Sequence, residues 1–524
     1  MPGSCEPAGR FGSQRRMGAV RKKRSIRLIL SSLAAVAVSL SVLSGAASAQ
    51  SITLGIDDEE ALMTWENQDW WRDAFRDANS SLYRFMVNWA TVAPTKPANA
   101  TNPNDPAYNW STSDTAVRFA QSSGQEPLFS NFTAPTWAEG PNRPTTGYGP
   151  NGTSPPMAGS WNPNAAELKK FATALARRYD GTTPDPLDPS VNLPRVALYE
   201  AWNEPNYKMY LSPQYDSSGG SNKLVVIDRY RTMLNSFYEG VKLSQPTATV
   251  SVGGLGPYGS SSQGLEVGPQ LFMRGLMCLA GSAAHLKRSS SCPTKAKLDA
   301  FSIHPYTFFG TPTTKAASPD GGAFGNTPDF KKTLDYAVAK KTILPSGRKQ
   351  LWATEFGWLT DPPGRPGTTG KISIGVKPSL AAVYVSEGIY RMWSWGLTKA
   401  FYFRLRDLPM FPAGLYFWPL GSTKSSEAKP KPTLRAFRFP FMAIGRSGRI
   451  GKVWALSPCR GEDAEVSVEF GARGRWTEVA SFTPDSSGMI SESIVIPSGS
   501  TQARGYATGT GCAQRGVSMP LYSK

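Results

Sequence analysis

The stretch VALYEAWNEPN at residues 196–206 is the most informative part of the sequence for predicting the fold. Its apolar run at 196–199 predicts a short buried β-strand, since strands of a parallel sheet are apolar on both faces. Pro205 ends that strand, because proline has no N–H to donate to a β-ladder. Asn203 and Glu204 are therefore predicted at the carboxyl end of the strand.

Seven further apolar runs predict companion strands, at 52–56, 82–87, 127–130, 250–252, 300–303, 351–354 and 400–403. Segments with helical spacing separate them, most clearly at 165–179, where Asn162 and Pro163 suggest a cap and an early proline. Eight such units predict an α/β fold, a closed (β/α)8 TIM barrel. An open doubly wound sheet is the competing fold, but no Gly-rich dinucleotide turn follows the first strand.

The composition changes after residue 421. A polar, Lys-rich connector at 422–431 leads into short alternating strands separated by turns rich in Gly, Pro, Ser and Asp. This pattern predicts a small all-β sandwich. We therefore expect a signal peptide at 1–49, a catalytic barrel at 50–430 and a C-terminal β-sandwich domain at 431–524.

The N-terminal segment has the pattern of an export signal. A basic stretch at 21–27 precedes an apolar run at 28–43, and the small residues ASA follow at 47–49. Cleavage after this site leaves Gln50 as the first residue of a secreted, extracellular protein. An uncleaved membrane anchor is the alternative, since the apolar run is near the lower limit for crossing a bilayer.

The charge of the chain is positive but diffuse. Residues 1–49 hold eight Lys and Arg and one acidic residue, so the formal net charge of +18 falls to +11 without them. The remaining excess is spread along the chain, with no basic block interleaved with aromatics. This distribution predicts no nucleic-acid partner, and it permits a weak association with an anionic cell envelope.

The cysteines agree with export. Cys5 lies in the predicted leader, which leaves Cys278, Cys292, Cys459 and Cys512. Four cysteines allow three pairings, and proximity in sequence favours Cys278–Cys292 and Cys459–Cys512. Their spacings match no zinc pattern and the chain has only two histidines, so we expect no metal and no cofactor.

Two glutamates stand out at strand ends. Glu204 follows the fourth predicted strand, and Glu355 ends the seventh within WATEFGW at 352–358. Retaining glycoside hydrolysis needs two carboxyl groups about 5 to 5.5 Å apart, one protonated and one ionised. A barrel supplies this geometry when the two groups end different strands.

Other side chains are candidates for roles beside the glutamates. Asn203 is predicted to donate a hydrogen bond to a sugar hydroxyl. His304 and Tyr306 follow the sixth strand, and Tyr306 and Arg84 are expected to keep the nucleophile ionised, by hydrogen bonding and by charge. Glu200 is interpreted as a structural polar partner.

The motif order resembles that of the clan A glycoside hydrolases: Arg84, Asn203-Glu204-Pro205, His304-Pro-Tyr306 and Glu355. Within the clan the chain looks most like the family 39 and family 5 (cellulase-like) groups of secreted bacterial enzymes, over residues 50–430. The resemblance implies a retaining double displacement on a poly- or oligosaccharide, with Glu204 as acid/base and Glu355 as nucleophile.

The resemblance also implies a set of sugar-facing aromatics. The turn at 135–138, which contains Trp137, looks like the clan's substrate-facing turn, and Trp358 is expected to form part of a sugar platform. Many clan members carry a Trp after the eighth strand, under the sugar that is being cleaved. This chain has FYFRLRD at 401–407, so Tyr402 or Arg404 is expected there.

Three functions remain open from the sequence. A β-glycosidase or endoglycanase is the leading hypothesis. An exo-acting α-L-arabinofuranosidase-type enzyme uses the same chemistry, and a non-catalytic glycan-binding envelope protein is the candidate from another class. The presence of both glutamates argues against the non-catalytic reading, whereas the sugar and linkage depend on loop shape.

Overall fold

A computed structural model describes residues 51–59, 68–147, 154–216, 223–259, 266–360, 375–408, 411–419, 422, 424–472 and 474–522. The predicted signal peptide at 1–49 and residues 361–374 lie outside the described residues. The described residues, from Ser51 onward, form one compact unit. In the residues described, no helix has both the length and the apolar character needed to cross a membrane.

The predicted barrel is confirmed. Parallel strands close into a ring in the order β1-β8-β7-β6-β5-β4-β3-β2. The strands are β1 Thr53–Asp57, β2 Leu82–Asn88, β3 Glu126–Phe132, β4 Leu198–Ala201, β5 Thr249–Val252, β6 Ala300–Ile303, β7 Gln350–Phe356 and β8 Lys399–Phe403. Each strand contains or overlaps the apolar run that predicted it. The prediction works because a parallel strand buried on both faces needs apolar residues throughout.

Helices cover the outside of the barrel. Those longer than one turn are α1 Gln68–Asp77, α2 Ser111–Ser123, α3 Ala165–Arg178, α4 Val226–Ser244, α5 Pro269–Leu276, α6 Thr327–Ala339, α7 Pro378–Ser394 and α8 Pro432–Arg438. The cap of α3 differs from the prediction. Asn164, rather than Asn162, accepts hydrogen bonds from the backbone N–H groups of Ala166 and Glu167, because a capping side chain must lie directly before the first turn.

The interior of the barrel is layered. One layer is an apolar floor formed by Leu82, Leu128, Leu198, Ala300, Trp352 and Phe401. Side chains two positions apart share a face of a strand. The next inward-facing residues along these strands are therefore Arg84, Ser130, Glu200, Ser302, Thr354 and Phe403. Most of this second layer is polar, and it lies toward the carboxyl ends of the strands, where barrel sites form.

The C-terminal region is built from antiparallel strands. They are β9 Phe441–Ile444, β10 Ile450–Leu456, β11 Glu465–Ala472, β12 Arg475–Phe482, β13 Met489–Val495, β14 Gln502–Gly509, β15 Cys512–Arg515 and β16 Met519–Pro520. One sheet joins β9, β10 and β13, and the other joins β12, β11, β14, β15 and β16. Trp454 of β10 is buried against Tyr390 and Trp393 of α7, so this region packs on the barrel.

Both predicted cysteine pairings are present. The Cα atoms of Cys278 and Cys292 lie 5.5 Å apart, and those of Cys459 and Cys512 lie 5.6 Å apart, each pair joined by a disulfide. The first bridge closes a short loop after α5. The second ties the segment before β11 to the start of β15.

Candidate active site

Glu204 and Glu355 face each other at the carboxyl end of the barrel. A carboxylate oxygen of Glu204 and one of Glu355 lie within 4.8 Å of each other and of a ring nitrogen of His304. Each glutamate side chain is 13% exposed, so both are largely desolvated yet open to a ligand from one side. This separation is of the size needed for a two-step displacement at one carbon.

The backbone around Glu204 is unusual. Trp202 and Glu204 have φ angles of +85° and +39°, in the left-handed region that residues with a side chain rarely adopt. The N–H of Glu204 donates to Gly254 O at 3.0 Å, and the indole N–H of Trp202 donates to Tyr210 O at 2.9 Å. Such strain persists only where surrounding contacts fix it, and it directs the Glu204 carboxyl into the cleft.

An irregularity in β7 places Glu355. Strict alternation from Thr354, which faces inward, would turn Glu355 toward the helices. The register between β7 and β8 shifts between Ala353 and Phe356, as it does at a β-bulge. Bulges re-aim side chains beside functional sites, and here Glu355 reaches the inward-facing Arg84.

Arg84 is the hub of the site. Its guanidinium donates to Glu355 Oε1 at 2.9 Å, to Asn203 Oδ1 at 2.8 Å and to Glu200 Oε2 at 2.9 Å, and it is paired with Asp57. The residue is fully buried, so its charge requires these partners. Arg84 therefore ties together side chains from β1, β4 and β7 and holds positive charge against Glu355.

Tyr306 is the second donor to Glu355. Its hydroxyl donates to Glu355 Oε2 at 3.0 Å, so both carboxylate oxygens of Glu355 are occupied by donors. Burial, and then the charge of Glu355, raises the pKa of Tyr306 well above its usual value. The phenol consequently keeps its proton, and two donors favour the ionised form of Glu355.

His304 lies between the two glutamates. Its Nδ1 is 2.9 Å from Glu204 Oε1 and 3.5 Å from Glu355 Oε1, and its Nε2 is 3.2 Å from Thr354 Oγ1. Burial, followed by the nearby positive charge of Arg84, holds the pKa of His304 well below its ordinary value. The imidazole is therefore neutral at neutral pH.

The two glutamates differ in their protonation. Burial raises the pKa of both carboxyls, and the charge of Glu355 raises that of Glu204 further. Two carboxyl groups this close hold one proton between them. Arg84 and Tyr306 both donate to Glu355, whereas Glu204 contacts the neutral His304. The shared proton therefore belongs on Glu204, and Glu355 carries the negative charge.

Two of the other predicted site residues lie on the turns that follow β4 and β3. Asn203 is buried beside Arg84, which occupies its amide oxygen and leaves the amide nitrogen as the free donor. Trp137 lies on the turn after β3, half-buried, with its indole N–H donating to Ala93 O at 2.8 Å and its ring edge-on to Trp89. The position of Trp137 after a barrel strand is the one the resemblance implies.

Two predicted platform residues are corrected by the structure. Trp358 is 1% exposed, donates its indole N–H to Gly310 O and packs against Phe324. Tyr402 is 0% exposed and contacts Phe437 of α8, because it points outward from β8. Both rings belong to the barrel's packing with its helices, so neither is available as a sugar platform.

The ring that faces the site from β8 is Phe403. It shares the inward face with Phe401, is partly exposed, and lies edge-on to Tyr306 at 6.4 Å between ring centroids. Arg404, the other expected residue, is nearly buried, with its guanidinium over the Phe403 ring and 3.7 Å from Asp58. Counting alternate positions from Phe401 would have identified Phe403 from the sequence.

Aromatic rings also line the wall beside Tyr306. The rings of Tyr306 and Phe308 stack at 4.9 Å, and Phe308 stacks on Tyr258 at 5.8 Å. Tyr258 is 58% exposed, so the stack runs from Glu355 to the surface. Flat apolar rings of this kind are surfaces on which sugar rings bind.

The site also has the side-chain types of a metal centre. Among the described residues, Glu204, His304 and Glu355 form the group whose ligand atoms lie close enough to hold one ion. The guanidinium of Arg84 is 2.9 Å from Glu355, and a positive charge at that distance opposes a second cation. The geometry at Arg84 therefore disfavours a cation bound to Glu355.

The first prediction from this geometry is that a chelator leaves any turnover unchanged. Protein dialysed against EDTA is expected to keep its full kcat/KM, because the guanidinium of Arg84 already stands beside Glu355. Activity would be measured before and after dialysis, and again after adding Zn²⁺ or Mn²⁺. A loss of activity that either metal restores would reassign Glu204, His304 and Glu355 as ligands.

A second prediction concerns Gly254, which passes directly over His304. A Cβ at this position would overlap the His304 ring and lie 2.7 Å from Thr354 Oγ1. Gly254→Ala is expected to destabilise the protein by about 1–3 kcal/mol, as overpacking does, and to abolish turnover. Gly516→Ala is the control, since its Cβ meets ordinary contact distances of 3.4 Å or more. Equal denaturant midpoints for the two variants would contradict the tight packing described here.

The chain is thus a closed (β/α)8 barrel in which Arg84 contacts Glu355 and His304 contacts Glu204. No known protein family and no curated protein matches it in sequence. Similar solved structures include a glucosidase from Croceicoccus marinus, with 14% identity, TM-score 0.42 and coverage of 82% of this chain and 89% of that one.

Two further similar structures are a GH30 endoxylanase from Clostridium papyrosolvens and a bacterial orthologue of human α-L-iduronidase. The endoxylanase is 10% identical, with TM-score 0.40 and coverage of 85% of this chain and 94% of its own. The iduronidase orthologue is 11% identical, with TM-score 0.42 and coverage of 89% and 87%. These similarities are too distant to assign an activity, which must come from the side chains.

Proposed function

We propose that this protein is a secreted retaining glycoside hydrolase that cleaves a poly- or oligosaccharide by double displacement. One observation carries the proposal. A carboxylate oxygen of Glu204 and one of Glu355 lie within 4.8 Å of each other. Glu355 accepts hydrogen bonds from Arg84 and Tyr306, whereas Glu204 contacts the neutral imidazole of His304. This difference makes one glutamate a base and the other an acid at the same pH.

The first step forms a covalent intermediate. A Glu355 oxygen attacks the anomeric carbon while the bond from that carbon to the leaving oxygen breaks. Glu204 gives its proton to the leaving oxygen, so the departing sugar leaves as an alcohol. Arg84 keeps Glu355 ionised until the bond forms, and it then retains Glu200 and Asp57 as counter-charges.

The second step releases the sugar. Glu204, now ionised, takes a proton from a water molecule, and the water oxygen bonds to the anomeric carbon as the bond to Glu355 breaks. Two displacements at one carbon return the original configuration. The resulting Glu204 is protonated again, and Glu355 is again a carboxylate.

The alternatives differ in what the cleft accepts. An α-L-arabinofuranosidase-type enzyme uses the same two glutamates on a terminal furanose. The aromatic wall from Tyr306 to the exposed Tyr258 favours a ligand that extends beyond one sugar, and so favours a chain substrate. A non-catalytic glycan-binding protein has no need of a proton-sharing carboxylate pair.

Export forms part of the proposal. Disulfides persist in oxidising compartments outside the cytosol, and two join the four cysteines beyond the predicted leader. With the signal-like pattern at 1–49, this supports secretion. The diffuse positive charge is consistent with weak attachment to an anionic envelope.

A substrate screen tests the proposed function. Protein beginning at Gln50 would be incubated with aryl glycosides and polysaccharides, with Glu355→Ala as the blank. We expect hydrolysis of one sugar class that the blank lacks, and NMR of the first product should show the anomeric configuration of the substrate. An inverted first product would exclude double displacement. Glycan binding without hydrolysis would favour the non-catalytic protein.

A further inference from the structure

We infer that Thr354 is a positioning residue that fixes the tautomer of His304 and thereby keeps the acid proton on Glu204. The inference rests on the proposed function for its catalytic meaning, although the tautomer itself is independent of any substrate. It follows from a continuous hydrogen-bond chain: Arg84, Glu200, Thr354, His304 and Glu204.

The chain begins at an ion pair. Glu200 is fully buried, and its Oε2 lies 2.8 Å from Nη2 and 2.9 Å from Nε of Arg84. A carboxyl oxygen that two N–H groups of one guanidinium approach is a hydrogen-bond acceptor. The other oxygen of Glu200, Oε1, accepts from the Thr354 hydroxyl at 2.8 Å.

The direction of the next hydrogen bond follows from the hydrogen count. A threonine hydroxyl has one hydrogen, and Thr354 gives it to Glu200. Toward His304 Nε2, at 3.2 Å, the Thr354 oxygen can therefore only accept. The hydrogen between them must belong to the ring, so His304 carries its proton on Nε2.

A neutral imidazole has a single N–H. With that hydrogen on Nε2, Nδ1 presents a lone pair to Glu204 Oε1 at 2.9 Å. The contact is a hydrogen bond only when Glu204 supplies the hydrogen. If Glu204 were ionised, the lone pair of His304 Nδ1 would repel the lone pair of Glu204 Oε1, in a site with little water. The chain thus stabilises the acid form of Glu204.

The surroundings of His304 support this arrangement. The charged groups among the described residues that face the ring are Arg84, Glu204 and Glu355. Glu355 Oε1, at 3.5 Å from Nδ1, already accepts from Arg84. The backbone of Gly254 packs closely against His304 Nε2 and Thr354 Oγ1. This packing holds the imidazole ring in its present orientation.

The first test observes the tautomer directly. The chain has only two histidines, so a long-range ¹H–¹⁵N spectrum contains two imidazole patterns, and His285→Gln removes the exposed one. At pH 7 we expect His304 to show protonated Nε2 and bare Nδ1. Thr354→Val should shift it toward Nδ1–H, and Thr354→Ser should restore the original pattern. Nδ1–H in the unmodified protein would overturn the inference, whether or not a glycoside is hydrolysed.

The second test uses the substrate found by the screen. In Thr354→Val, His304 is free to donate from Nδ1 to ionised Glu204, so the pKa of Glu204 falls. The basic limb of kcat/KM should move to lower pH by about one unit, and Thr354→Ser should return it. Thr173→Val, which removes a buried hydroxyl in α3, is the control for general destabilisation. A basic limb of Thr354→Val that coincides with the unmodified protein would overturn the inference.

Discussion

Glu355→Ala is expected to lower kcat on the order of 10⁴-fold or more, as removal of a catalytic nucleophile does, while the fold remains intact. The side chain makes contacts with Arg84 and Tyr306 that serve its charge rather than the packing of the barrel. With the carboxylate gone, no covalent intermediate forms. The measurement is turnover of the substrate class that the screen identifies, beside circular dichroism of the same sample.

Azide gives this variant a distinctive rescue. The anion fits the space left by Glu355, attacks the anomeric carbon, and displaces the leaving group in a single step. The product is a glycosyl azide of inverted configuration, most easily detected with an activated aryl glycoside. Glu427→Ala, at an exposed glutamate, is the matched control and should retain full activity. Full activity of Glu355→Ala would remove it from the nucleophile role.

Glu204→Ala is expected to produce the second largest effect, and one that depends on the leaving group. Loss of a general acid costs about 10²- to 10⁴-fold, so kcat/KM for substrates with poor leaving groups should fall by that factor. Activated aryl glycosides should keep most of their kcat/KM, because their leaving group departs without a proton. A series of aryl glycosides of graded leaving-group pKa would measure this slope.

The product with azide separates Glu204 from Glu355. In Glu204→Ala the covalent intermediate still forms on Glu355, and azide then replaces water in the second step. Two displacements give a glycosyl azide of retained configuration, the opposite of the product from Glu355→Ala. If both variants gave the same anomer, the roles of the two glutamates would be wrong.

The strands and the two glutamates were predictable because their signals are local. Each strand is an apolar run bounded by polar loops, and Glu204 and Glu355 follow two of them directly. Closure of parallel strands then brings strand ends together without further information. Pro205 marked the end of one strand in the sequence itself.

The platform residues were not predictable in the same way. Trp358 and Tyr402 were chosen for their residue type and their nearness to a strand end, but the direction of a side chain depends on strand register. Tyr402 points away from the site because Phe401 and Phe403 take the inward positions. The shift between Ala353 and Phe356, which turns Glu355 inward, has no signal in the sequence.

The shared network was also beyond the sequence. Asp57 and Thr354 lie almost 300 positions apart in the chain, yet both act within one cluster around Arg84 and Glu200. Such contacts exist only after distant strands have assembled. Asp57 does follow an apolar run, as Glu204 does, so its position at a strand end was available as a clue.

The contacts of Arg84 make activity depend on assembly of the whole barrel. Its partners come from the first, third, fourth and seventh strands and from the turn that follows the fourth. No contiguous half of the barrel contains the complete set, so neither half on its own can carry out both chemical steps. If the chain is produced as two separate fragments, recovered activity would report that the ring has closed. An activity assay would therefore measure how much of the two fragments has assembled into the complete barrel.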